Sequence, residues 1–193
     1  MKLLDASDIS NLHEYELERP AFRSRVIEKK KRRRVGLGPL MTLVFEDRDT
    51  IRFQIQEMLR VERIVQPEKV QHEIETYNAL LPSAGEVAAT LFIEITDPAR
   101  VQEVLDGFIG LDAPGALALL VGEARYPALF DPGQSREDRI SAVHYIRFPL
   151  GAEGRAGLAG GSEAALQVEH GGYRARQILT GETVEELIAD LDE

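Results

Sequence analysis

The chain has 193 residues and 21.5 kDa, carries a formal net charge of -10, and contains 0 Cys. That length fits a single domain, residues 1–193, able to bury roughly 70% of its unfolded surface without a covalent staple. Without cysteine there are no disulfides, thiolate nucleophiles, CxxCH haem attachments, cysteine-ligated iron–sulfur clusters or common structural zinc sites, a composition that suits a reducing interior. The start, MKLLDASDIS, has no apolar signal region, and no run reaches about 18 uncharged apolar residues. The sequence therefore predicts a cytoplasmic chain that does not span a membrane.

Charge is segregated. Residues 1–34 hold 10 basic and 6 acidic groups, leaving 13 basic and 27 acidic groups in the remainder. Asp8 to Glu18 reads as a short turn or helix, and Pro20 suits the first position of a helix continuing through AFRSRVIEKKKRRR. Phe22 and Val26 mark its apolar edge. Lys29 to Arg34 are consecutive cations, a pattern shared with nucleic-acid patches, but no aromatic residue interleaves them. A face that is solvated, or paired with the chain's own acids, is the simpler reading. GLGP at 36–39 lacks the third glycine and helix placement of a dinucleotide fingerprint and reads as a turn or bulge.

MTLVFE (41–46) reads as a strand, and Asp47 and Asp49 open a helix over residues 48–65. At about 100° per residue, Ile51, Ile55, Met58, Leu59 and Val65 share one face, and Phe53, Val61 and Ile64 share a second. Glu62 falls in the first stripe and Glu57 in the second, with Arg52, Gln56, Arg60 and Arg63 between them. A carboxylate in an apolar stripe needs a cation, hydrogen-bond donors, a metal or a raised pKa. One reading makes Glu57 and Glu62 proton-transfer groups or metal ligands, beside Arg52 or Arg63 and near His72. The other makes them structural partners of Arg48, Arg52 or Arg63, or of donors in the basic N-terminal segment. Residues five apart lie about 140° apart on a helix, so Glu57 and Glu62 cannot grip one ion without a second element.

PEKVQHEIETYNALLP (67–82) reads as a second helix forming a hairpin with the first, its apolar edge at Val70, Ile74, Tyr77 and Leu81. Glu68, His72 and Glu73 are its weak metal-ligand candidates; a lone helical histidine is more often exposed or hydrogen-bonded.

FEDRDTIRFQIQEMLRVERI, followed by EIETYNALLP and the strand ATLFIEI, resembles the bacterial domain-of-unknown-function family 3501. The likeness covers most of the chain and is strongest over residues 33–96. It implies no activity and no functional residues. It does imply a redox or peroxide-defence setting, because members of that family tend to be encoded beside rubrerythrin, a di-iron peroxide-reducing protein, and an iron–sulfur oxidoreductase.

Further along, AATLFIEIT reads as a core strand and Asp97-Pro98 as the cap of a helix, ARVQEVLDGFIGL. Leu117 to Val121 reads as a strand, Arg125 to Phe130 as an edge strand containing Pro127, and DPGQSRED as a polar loop. In SAVHYIRFPL, His144, Ile146, Phe148 and Leu150 alternate toward the core. GAEGRAGLAGG (151–161) lacks the Walker pattern and reads as a mobile connection. AALQVEH and YRARQIL form a hairpin with His170 exposed at its turn, and Thr180 caps a terminal helix.

These elements predict an α/β chain of the α+β type, with a mixed, mainly antiparallel sheet of about five to seven strands packed with helices. No GxSxG, HExxH, EF-hand or kinase signature is present, and the sequence assigns no cofactor. The favoured function is a non-enzymatic accessory or interaction protein, with a rubrerythrin-like or iron–sulfur protein as partner. A homodimer is also expected, from the two-faced helix and the edge near Pro127. The alternatives are an enzyme or metal-binding protein using a carboxylate and arginine site on helix 48–65, and nucleic-acid binding through Lys29 to Arg34.

Overall fold

A computed structural model describes residues 1–133, 135–136 and 139–192. The chain opens with one 3-10 turn, Ala6–Asp8, closed by reciprocal capping between Asp5 and Asp8. Helix α1, Leu12–Arg33, then begins at Asn11, whose side chain accepts from the Glu14 amide. The expected start at Pro20 is corrected: Pro20 lies inside α1. An interior proline removes one backbone donor, but Tyr15, Phe22 and Val26 on either side of it are buried on one face and hold the helix through it.

Strands β1 (Arg34–Gly36) and β2 (Met41–Glu46) form a hairpin around the GLGP turn. Gly38 sits there at φ 74°, and a Cβ on it would stand 2.6 Å from the Tyr173 hydroxyl. That hydroxyl closes the turn by donating to Leu37 O and accepting from Leu40 N.

Asp47 and Thr50 cap each other reciprocally at the start of α2, Arg48–Val61. The helix stops four residues short of the expected end. Arg63 takes a left-handed conformation, φ 52°, and Ile64 N donates to Leu59 O at 2.9 Å, the terminating geometry that glycine usually supplies. Glu62 and Val65 therefore lie beyond the helix and are exposed, which overturns their expected place in the buried stripe. Ile51, Ile55 and Leu59 fill that stripe, against Leu4 and Ile74. Ile74 belongs to α3, Pro67–Asn78, the second arm of the expected hairpin.

After α3 come β3 (Glu86–Ile93), a 3-10 turn (Pro98–Arg100), α4 (Val101–Asp106), β4 (Leu117–Val121), β5 (Ala124–Pro127), β6 (Leu129–Phe130), β7 (Ser135–Arg136), β8 (Arg139–Ile140) and β9 (Val143–Pro149). Helix α5 (Gly151–Ala159), β10 (Ala164–His170), β11 (Tyr173–Ile178) and α6 (Gly181–Asp192) complete the fold. Of the polar loop expected at 131–138, residues 134, 137 and 138 lie outside the described residues.

The α+β class holds, and the described strands divide between sheets of order β1-β2-β3-β9-β6 and β11-β10-β4-β5, with β7 and β8 as a separate pair. Every described pairing is antiparallel. The stretch expected as one edge strand is split: β5 edges one sheet, β6 edges the other, and the chain crosses at buried Ala128. Both sheets face one core, where Leu43, Phe45, Leu91 and Phe148 meet Leu119, Leu166 and Val168. His144, Ile146, Phe148 and Leu150 are all buried, as their alternation predicts.

The glycine-rich stretch expected to be mobile is instead largely helical. A Cβ at Gly154 would lie 3.0 Å from the Tyr126 ring, and one at Gly157 would lie 2.8 Å from Val121 Cγ1. These glycines permit close packing of α5 on β4 and β5, so their role is steric and not conformational. Among the described residues no helix is long and apolar enough to cross a membrane.

Candidate functional site: an arginine-lined cleft between α1 and α2

Helices α1 and α2 run antiparallel and are joined by three polar clusters. At one end the Glu57 carboxylate accepts from Tyr15 Oη at 2.7 Å, from Arg19 Nε and Nη2 at 2.7 and 2.9 Å, and from Arg60 at 3.3 Å. The Arg19 hydrogen bonds lead in holding its pKa down at about 2, against the opposing effect of burial, with Tyr15 and Arg60 adding to the depression. Burial, with the adjacent carboxylate, raises the Tyr15 phenol above its ordinary range. A carboxylate so saturated with donors stays ionised and has little capacity to move a proton near neutral pH, which makes Glu57 a lock between α1 and α2.

At the other end lies the basic run. Arg33, 2% exposed, grips Asp190 of α6 bidentately at 2.7 and 2.8 Å and also meets Asp47 and Glu186. Lys29 Nζ bridges Asp47 at 2.5 Å and Asp49 at 2.6 Å. Burial alone would push the Asp47 carboxyl up, but Arg33, Lys29 and the Thr50 amide hold it below the usual range. Lys31 pairs with Glu28, Arg32 with Glu186 and Arg34 with Glu94. The run is thus tied mostly to the protein's own acids, and of its members Lys30 lacks an ion-pair partner among the described residues.

Between the two ends, Phe22 is buried, packs edge-on against Phe53 at 5.6 Å, and has two guanidinium groups near its ring. Arg25 and Arg52 lie 5.4 and 5.0 Å from its centroid. Helical spacing produces this: Phe22 and Arg25 are three apart on α1, and Arg52 rises from the facing turn of α2. Arg52 reaches only to 3.8 Å from Glu18, and its buried Nε has no hydrogen-bond acceptor among the described residues. Arg25 has no ion-pair partner among the described residues. With Val26, Glu28, Lys29, Arg32 and Asp49, these side chains line a cleft of about 330 Å³, in which four cations outnumber two carboxylates. It offers an apolar floor, fixed cations and two guanidinium groups short of acceptors, an arrangement suited to carboxylate or another anion.

The chain matches the family described as "Protein of unknown function (DUF3501)" over residues 3–191. It belongs to the DUF3501 family. This DUF3501 chain is also similar to a solved structure, a novel protein of unknown function from Burkholderia pseudomallei K96243. The two share 32% identity and a TM-score of 0.91, covering 99% of this chain and 100% of the other. The comparison with curated proteins finds no match.

The other candidate residues are not gathered into this site of the DUF3501 chain. Glu62 and Arg63 are exposed beyond the end of α2, Glu68 and His72 are exposed on α3, and Glu73 is half-buried there. Among the described residues no group of three His, Asp or Glu side chains is placed to hold a metal ion. His144 sits in the core with Nε2 2.8 Å from Ser141 O, while Nδ1 has no hydrogen-bond partner among the described residues. Its pKa is lowered by burial. His170, expected to be exposed, is half-buried and stacks against Phe108.

Two features escaped sequence reasoning. Arg25 carries no signal, since nothing in sequence reveals a missing partner. Glu46, at the end of a mostly apolar strand, is 3% exposed; its Oε1 accepts from Thr90 Oγ1 at 2.7 Å, while Oε2 has no hydrogen-bond partner among the described residues.

Proposed function

We propose that this protein is a non-enzymatic accessory protein that docks an acidic segment of a partner protein in the α1–α2 cleft. The observation that carries the reading is the pair of guanidinium groups at Phe22, with Arg52 Nε lacking an acceptor among the described residues. A carboxylate entering the cleft meets the exposed Arg25 guanidinium, which has no ion-pair partner among the described residues, and the Arg52 guanidinium beside it, and charge-assisted contacts of this kind are stronger than neutral ones. The net charge of -10 adds direction: an acidic partner is repelled by most of the surface and steered to the basic cleft. The saturated Glu57 supports an interaction role over proton transfer on α2.

On this reading the protein works in cytoplasmic redox or peroxide defence, and a rubrerythrin-like or iron–sulfur protein is the partner to test. The wild type and an Arg25→Glu/Arg52→Glu variant, each purified natively from the source cell, are compared by mass spectrometry of what co-elutes. The expected result is such a partner with the wild type at low salt, lost in the variant and at high salt. Equal co-elution with both proteins, or elution of the wild type alone together with unchanged peroxide sensitivity on deletion, refutes the reading.

A further inference from the structure

The second apolar stripe of α2 is only partly used within the protein. Phe53 packs on Phe22, but farther along the helix Met58 is half-buried and Val61 is 62% exposed. With Tyr77 of α3 they floor an open depression of about 350 Å³, which uses none of the residues of the arginine cleft. A valine this exposed beside a half-buried methionine, phenylalanine and tyrosine is the composition of a recognition patch.

The depression is also lined by Lys30 and Glu62. Neither has an ion-pair partner among the described residues, although most charges of the same α1 run do. In an isologous contact a residue i that meets j of the partner is matched by j meeting i. A patch with an apolar floor, one unpaired cation and one unpaired carboxylate is therefore complementary to itself across a two-fold axis.

We propose that this depression is a homodimer interface, in which Met58 and Val61 pack against their copies while Lys30 of each protomer pairs with Glu62 of the other. The inference is independent of the acidic-partner reading.

The test is a charge-swap series on the full chain, read by sedimentation velocity across micromolar concentrations. Lys30→Glu and Glu62→Lys each replace two attractive contacts per dimer with two repulsive ones, and each is expected to weaken dimerisation about tenfold. The double variant K30E/E62K restores it. So does an equimolar mixture of the two single variants, because both contacts in the mixed dimer are then between opposite charges. Val61→Lys, at an exposed position, is expected to give monomer with an unchanged circular dichroism spectrum. A wild type that stays at 21.5 kDa throughout overturns the proposal. Single variants that dimerise like the wild type, or a mixture that fails to recover, do so as well.

Discussion

Replacing Glu57 by glutamine tests the physical reading of α2. The side chain keeps its shape but presents an amide N–H₂ to Arg19 and Arg60, so donors face donors where a carboxylate had accepted from both. The depression of the carboxyl from 4.5 to about 2 corresponds to about 3 kcal/mol. The side chain remains 24% exposed, and discounting for solvent screening leaves about 2 kcal/mol. A carboxyl depressed in the folded state contributes fully above its unfolded pKa, and the contribution fades as pH falls from about 4.5 toward 2. Urea unfolding of both proteins at pH 7, and at steps down to the lowest pH at which both fold, is expected to show a gap of about 2 kcal/mol at neutrality that closes through that window. Equal stability at pH 7, or a gap that does not narrow on acidification, contradicts the lock. Loss of an activity without loss of stability would return Glu57 to a chemical role.

Arg63→Gly removes the strain of a left-handed arginine while keeping the Ile64 to Leu59 bond, and is expected to stabilise the protein by about 1 kcal/mol in urea. Gly157→Ala drives a methyl toward Val121 Cγ1 at 2.8 Å; thermal unfolding should show a loss of about 1–3 kcal/mol despite alanine's better helix propensity. His144, neutral in the core, binds a proton more readily once unfolded. Wild-type stability should therefore fall as pH drops below its ordinary value of 6.5, and His144→Leu should flatten that slope; identical slopes refute this reading.

Periodicity made much of the fold legible. His144 to Leu150, Ile51 to Leu59 and the β10–β11 hairpin declare their faces through spacings of two and 3.6 residues, because each buries one side more deeply than the other. What failed was local chemistry overruled by packing. Pro20 has the local chemistry of a helix start, but Tyr15 and Phe22 bury on one face across it, and the glycines of α5 have the composition of a flexible link but make room for Tyr126 and Val121. The division into two sheets at Ala128 follows from long-range pairing, which no local pattern encodes. On α2, the charge of Glu57 in an apolar stripe correctly announced a polar cluster, but its main partner, Arg19, lies 38 residues away. Glu62 falls outside the stripe because α2 ends at Val61, and the left-handed residue that follows is Arg63 where glycine is usual. The cleft itself depends on which cations remain unpaired after folding, and only the assembled structure decides that.

The docking reading is tested most directly by calorimetric titration of the purified partner into the wild type and into R25E/R52E, at several salt concentrations. The wild type is expected to bind with an affinity that falls steeply as salt rises, and the variant at least tenfold more weakly with a flatter salt dependence. Equal affinity and equal salt dependence for the two proteins would contradict the assignment of the α1–α2 cleft.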